Sequence, residues 1–193
     1  YVSSLIDQMK SLTEIVLNDW TTSYQNDFIN GTENSASSAV NKFVNDFIYY
    51  YEKGLRANKI GIPAGNFSST PLPHTIEGYY VRETSKDLTL EALNAFQNLF
   101  NGTHYNTNDS GVGFKDYLNY LDRNDLVNLI NNQLDEARAK ISILDGNYFD
   151  QINNDNTKMT QAYDALQTVV VLIKVDMLQA FNISVDYVDA DGD

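Results

Sequence analysis

SLIDQMKSLTEIVLNDWTTSYQNDF, residues 4–28, decides the fold class. Leu5, Met9, Leu12, Val16, Trp20, Tyr24 and Phe28 recur in it at spacings of four and three. That period sets them in one stripe along a helix of roughly seven turns. The stripe stops at Asn30-Gly31, a place where glycine can close a helix.

Working outward, a second stripe runs through Ala36, Val40, Phe43, Phe47, Tyr50 or Tyr51, and Leu55, after an ENSASS run rich in N-cap oxygens. Two long helices with a short link predict an antiparallel hairpin over residues 2–57, with Phe43, Phe47 and Tyr51 in its core. Helical periodicity resumes after residue 87. Leu90, Leu93, Phe96 or Gln97, and Phe100 share a face that closes at Asn101-Gly102. Phe114, Tyr117, Leu118 and Leu121 follow, and then Leu126, Ile130, Leu134, Ala137, Ile141 and Leu144. A last helix is expected from about Asp155, through Met159, Tyr163 or Leu166, Val170, Ile173, Met177 and Phe181. Its β-branched core could pass for a strand, but helical spacing on both sides keeps it helical. Residues 183–193 read as an extended acidic tail. The whole predicts an all-α helical bundle.

Composition agrees and excludes several functions. Only 3 prolines and 10 glycines interrupt 193 residues, of which 42% are apolar and 12% aromatic. A net charge of −13 repels phosphate backbones, which argues against a nucleic-acid partner. The absence of cysteine excludes disulfides, thiolate nucleophiles and Cys-ligated zinc. No run of about 18 apolar residues occurs, so no membrane span is expected. The chain opens at Tyr1 within a helical pattern, with neither an initiator Met nor a signal peptide, and reads as a mature or cut chain.

NKIGIPAGNFSSTPLPHTIEGYYVRETSKD, residues 58–87, breaks the pattern. It holds all three prolines and has no sustained period, so about 58–86 is expected to be irregular. Loops of this length are uncommon in a compact domain unless functional or disordered. Inside it His74 and Glu77 stand three apart, a spacing that on a helix puts imidazole and carboxylate on one face. Such a pair could ligate a divalent metal or couple a base to its orienter. Pro71 and Pro73 before it and Gly78 after it allow one short turn at best, so a surface turn is the plainer reading. His104 lies in a polar loop and is expected to be exposed. DADGD at 189–193 resembles the start of a calcium loop but lacks the later ligands. There is no P-loop, nucleophile elbow, dinucleotide fingerprint or H-E-x-x-H, and no catalytic residue is assigned.

Several elements together resemble one family. In order they are the first helix, KIGIPAG (59–65), IEGYYVRETSKDL (76–88), LNAFQNLFNG (93–102), GVGFKDYL (111–118) and KVDMLQAFNISVDYVDADGD (174–193). They resemble the imelysin-like, or insulin-cleaving metalloproteinase-like, proteins of the bacterial cell envelope. The resemblance implies two helical bundles related by a pseudo-twofold, a periplasmic or outer-membrane-anchored lipoprotein, and a role in iron uptake with a site between the bundles. It also implies that this chain is the C-terminal half, lying past a G-x-H-x-x-E signature. His74-Thr-Ile-Glu77 is therefore a lookalike of that signature, with Leu72 where the signature glycine would stand.

By the same resemblance Arg56, Lys59, Glu77 and Ser85 are cleft-facing candidates, and Gly78 departs from the serine expected after Glu77. Iron or another divalent cation is the implied ligand, held together with the missing half. The implied partners are that N-terminal half as a separate chain and other envelope iron-uptake proteins. Two other functions stay open: a metallopeptidase whose signature lies elsewhere, and an adaptor module without chemistry.

Overall fold

The computed structural model describes residues 1–33, 35–105, 107 and 109–187. They form six helical segments, α1–α6. Among the described residues the β pairing is one isolated bridge between Thr103 and Ser110. The chain divides at Phe43/Val44 into two compact units.

In the first unit, α1 comprises Val2–Asp19, a π-helical turn Trp20–Tyr24, and Gln25–Asn30. The widened turn has a local cause. Thr21, Thr22 and Ser23 donate their hydroxyls to Leu17 O (2.9 Å), Asn18 O (2.7 Å) and Asp19 O (3.3 Å), competing with the backbone ladder. No residue of α1 is buried. Leu5, Met9, Leu12 and Val16 form the stripe that the spacing predicts, and all four are exposed. Phe28 lies edge-on to Phe43 at 6.0 Å. Phe43, expected in the core, is 38% exposed.

α2 carries the chain into the second unit as Ala39–Tyr49, a twelve-residue π-helical stretch Tyr50–Gly61, and Ile62–Ala64. Residues 58–64, expected to be irregular, are therefore helical. Pro63 has no N–H to give the carbonyl four residues back, so a regular α-ladder cannot run through this point. The helix closes in a Schellman motif: Gly65 is left-handed at φ 87, Gly65 N–H donates to Ile62 O (3.1 Å) and Asn66 N–H to Gly61 O (2.9 Å).

The irregular part is thus 65–84, with 3₁₀ turns at Pro73–Thr75 and Arg82–Thr84. It is held down. Leu72 N–H donates to Pro63 O at 2.8 Å, and Ile76 is buried. The Arg82 guanidinium lies 3.9 Å from the Phe149 ring centre and 4.5 Å from that of Tyr79.

α3 is Ser85–Asn101, α4 Phe114–Tyr120 and α5 Asn124–Ser142. α6 is Tyr148–Val171, a π-helical turn Leu172–Met177, and Leu178–Phe181. At Asp155 (φ −152, ψ 82) α6 leaves helical geometry, and the Asp155 carboxylate accepts Thr157 N–H at 3.2 Å. Asp155 thereby caps the second part of α6, at the residue where periodicity starts that helix.

The second unit packs the π-helical part of α2 with α3, α5 and α6, and α4 against α3 and α5. Leu126, Ile130, Leu134, Ala137, Ile141 and Leu144 are all buried, as are Met159, Leu166, Val170, Ile173, Met177 and Phe181. Each of these side chains larger than Ala137 contributes about 1.5–3 kcal/mol on leaving water. The ambiguous positions resolve on polarity and size. Phe96 is inside, stacked on Phe47 at 4.0 Å, while Gln97 faces the polar ladder of Asn131, Asp135 and Arg138. Tyr51 is inside and Tyr50 outside.

After Asn182 the chain runs without regular structure to Tyr187. Asn45 fixes it on both edges, its amide donating to Ser184 O (3.1 Å) and its carbonyl accepting Asp186 N–H (3.2 Å). The DADGD run falls outside the described residues.

Candidate functional site

The π-helical stretch Tyr50–Gly61 organises two polar assemblies, one inside the bundle and one at its surface. Inside, Glu52 and Arg56 are wholly buried. Lys174, from the π-helical turn of α6, sends its ammonium to both Glu52 oxygens at 3.1 and 3.2 Å. Tyr187 donates its hydroxyl to Glu52 Oε2 at 2.8 Å, and the Lys174 ammonium lies 5.4 Å from the Tyr187 ring centre. Arg56 comes within 3.7 Å of Glu52 Oε1. It donates to Tyr163 Oη (3.1 Å) and to Gln167 Oε1, and lies over the Phe67 and Tyr163 rings. Buried charge is tolerable only when paired and hydrogen-bonded, and this network supplies both.

At the surface, Gly54, Asn58, Lys59, Ile62, Thr75 and Glu77 line an open pocket of ≈ 400 Å³. Lys59 and Glu77, 18 residues apart, form an ion pair there. The side chain of Lys59 is 12% exposed and that of Glu77 46%. Lys59 follows the buried Arg56 by about one turn on the same stretch. Glu77 arrives from the loop. Buried Ser85, at the start of α3, donates its hydroxyl to Glu77 O at 2.8 Å and to Arg82 O at 3.1 Å. Tyr50 stands beside the pocket, its ring where a Gly54 Cβ would come within 3.0 Å. Partial burial, reinforced by the Glu77 carboxylate, raises the Tyr50 phenol above its ordinary value, so it remains a hydrogen-bond donor at neutral pH.

The sequence candidates thus separate. Lys59 and Glu77 meet in one pocket. Arg56 belongs to the buried network one turn behind it. Ser85 does not line the pocket; it fixes the backbone of Glu77. His74 is exposed, and the 3₁₀ turn ends at Thr75 with Ile76 extended (φ −59, ψ 143), so imidazole and the Glu77 carboxylate do not stack on a helix face. His104 is exposed, as expected. Among the described residues, no three His, Asp or Glu side chains come together in a way that could hold a metal. A metalloenzyme needs about three protein ligands and an open position for water.

Glu52, Lys174 and Tyr187 went unseen in the sequence, as did Asn58 and Thr75. One signal was available: Glu52 and Arg56 stand four apart on the flank of an apolar stripe, the spacing of a helical ion pair. Solvated flanks share that spacing, and nothing local tells a buried pair from an exposed one.

The Imelysin family model matches residues 1–173. The chain belongs to the imelysin family. The match takes in α1 through the start of the π-helical turn in α6, and so both polar assemblies apart from Lys174 and Tyr187. No curated protein and no solved structure matches the chain. No described helix is long and apolar enough to cross a membrane.

Proposed function

We propose that this imelysin-family chain belongs to a cell-envelope protein, periplasmic or anchored at the outer membrane, that serves iron uptake by holding a metal or a metal-bearing ligand. The meeting of Lys59 and Glu77 in one pocket carries the reading, supported by the family match. Pockets of a few hundred Å³ with a small set of placed polar groups are the usual form of a ligand site.

A bare metal bound here would take the rest of its ligands from outside the described residues, since these offer no group of three. An N-terminal half of the same protein, present as a separate chain, is the partner that would supply them. The net charge of −13 is suited to an environment of cations.

The test is equilibrium binding of iron, free and chelated, to the purified protein and to its Lys59→Ala and Glu77→Ala variants. Fractionation of the source cells and an intact-mass spectrum accompany it. Binding that falls at least tenfold in either variant supports the reading, as do recovery in the envelope fraction and a second polypeptide. No affinity for iron in any form overturns the iron assignment. Equal affinity in all three proteins removes the pocket from the site.

A further inference from the structure

The pocket is built for an anion more than for a cation. Its lining carries one cation, Lys59, paired with one carboxylate, Glu77, within a chain whose net charge is −13. The Lys59 ammonium occupies the position where a bare metal ion would have to sit beside Glu77, and like charges exclude each other there. Around the pair stand groups able to donate: the Asn58 amide in the lining and the Tyr50 hydroxyl beside it.

Glu77 narrows the class further. A ligand made of carboxylates alone would meet the Glu77 carboxylate with repulsion. A ligand bearing a hydroxyl next to its carboxylate can give the carboxylate to Lys59 and the hydroxyl hydrogen to Glu77. Charge-assisted hydrogen bonds of this kind are the strong ones. A volume of ≈ 400 Å³ admits a small organic acid.

We infer that the Lys59–Glu77 pocket binds a small hydroxycarboxylate anion, either free or as the chelating shell of a metal, with Lys59 as anion anchor and Glu77 as acceptor for the hydroxyl. This rests on the ligand-holding reading above and names its ligand class. Metal would then reach the protein wrapped in its chelator, and no three-ligand metal centre would be required of this chain.

The two ligand classes give opposite signs for one substitution. If a cation is bound, Glu77→Gln removes its ligand and weakens binding. If a hydroxycarboxylate is bound, Glu77→Gln keeps an acceptor for the hydroxyl, ends the repulsion and frees Lys59, so binding holds or strengthens.

The experiment is isothermal titration of the full chain, freed of metal, with citrate and with tricarballylate, which is citrate without its hydroxyl. Citrate should bind at least tenfold more tightly than tricarballylate. Lys59→Met should lower citrate affinity at least tenfold, Lys59→Arg should retain most of it, and Glu77→Gln should equal or exceed the wild type. Unchanged melting curves confirm that the variants fold. The inference is overturned if citrate does not bind, if Lys59→Met binds it normally, or if Glu77→Gln abolishes binding. A parallel titration with gallium chloride separates the two readings. Gallium binding lost in Glu77→Gln but kept in Lys59→Met retains a metal site and refutes the anion site. Citrate binding with no affinity for gallium or iron citrate keeps the anion site and refutes the iron assignment.

Discussion

Replacing Glu52 by glutamine tests whether the buried network holds the second unit together. The substitution conserves volume and removes one charge. Glutamine can still accept one hydrogen bond, but its amide turns two hydrogens toward groups that now donate to Glu52 from Lys174 and Tyr187, at 2.8–3.2 Å. The carboxylate is 0% exposed, so water does not replace it. Removing one partner of a buried pair costs about 3–5 kcal/mol. For a chain of this size each kcal/mol shifts Tm by about 2–4 °C, so a fall of roughly 6–20 °C is expected. Near-UV circular dichroism suits the assay, because the buried tyrosines of the second unit report on it and the one tryptophan, Trp20, lies in the first.

Two controls sharpen the test. The drop should be nearly independent of salt between low and physiological ionic strength, because the pair is shielded from counter-ions. The double replacement Glu52→Leu with Lys174→Met should recover much of the loss, since apolar side chains of similar size often match a buried ion pair. A fall in Tm below about 3 °C, less than about 1 kcal/mol would produce, would refute the reasoning. So would a loss that vanishes in salt.

Alkali should unfold the protein through its buried phenols. Burial holds the Tyr51 and Tyr148 hydroxyls well above the ordinary value, and Tyr51 donates to Leu166 O at 3.2 Å. The unfolded chain releases these protons first, so stability is fully present below about pH 10 and falls as pH rises above it. Urea midpoints that stay flat to pH 11 would contradict this. Gly61→Ala should destabilise by about 1–3 kcal/mol, because its Cβ would come within 2.5 Å of the Phe67 ring and 2.8 Å of Tyr163, and differential scanning calorimetry reads the change. Ser85→Ala should cost about 1–3 kcal/mol by leaving the Glu77 carbonyl without its donor, while Arg82 O keeps the backbone N–H of residue 85. Cleavage of residues 65–84 by a nonspecific protease should accelerate with it, and an unchanged rate would sever Ser85 from the placement of Glu77.

The helices were legible because burial imposes a period on sequence. The face from Leu126 to Leu144 and the one from Met159 to Phe181 are buried at every periodic position that was unambiguous. The end of α3 was legible at Gly102, which takes a left-handed turn (φ 69). The fate of α1 was not legible. A stripe states that a face is apolar and leaves open what covers it, and Leu5 to Val16 remain exposed. Nor was the length of α2. Proline and glycine at 61–65 look like an end of helix, whereas a wider winding carries the chain through Pro63 before Gly65 stops it.

The same winding explains why the site was only half legible. A regular α-helical reading of residues 50–61 assigns Glu52 and Arg56 to a solvated flank. In the π-helical stretch both turn inward, to partners 107–135 residues away in sequence that no local pattern can announce. The stretch thus departs from ordinary rules twice, in backbone winding and in burying charge. π-Helical turns gather at functional sites, and natural sequences break local rules chiefly where function requires it. Lys59 stands on that stretch one turn from Arg56, and Ser85 secures the loop that brings Glu77 to it. A surface ion pair alone would carry little weight, being worth about 0–1 kcal/mol. Its footing is what sets it apart: the helix beneath is fixed from inside by Glu52, Arg56 and Lys174, so the ammonium has a defined place in which to meet a ligand.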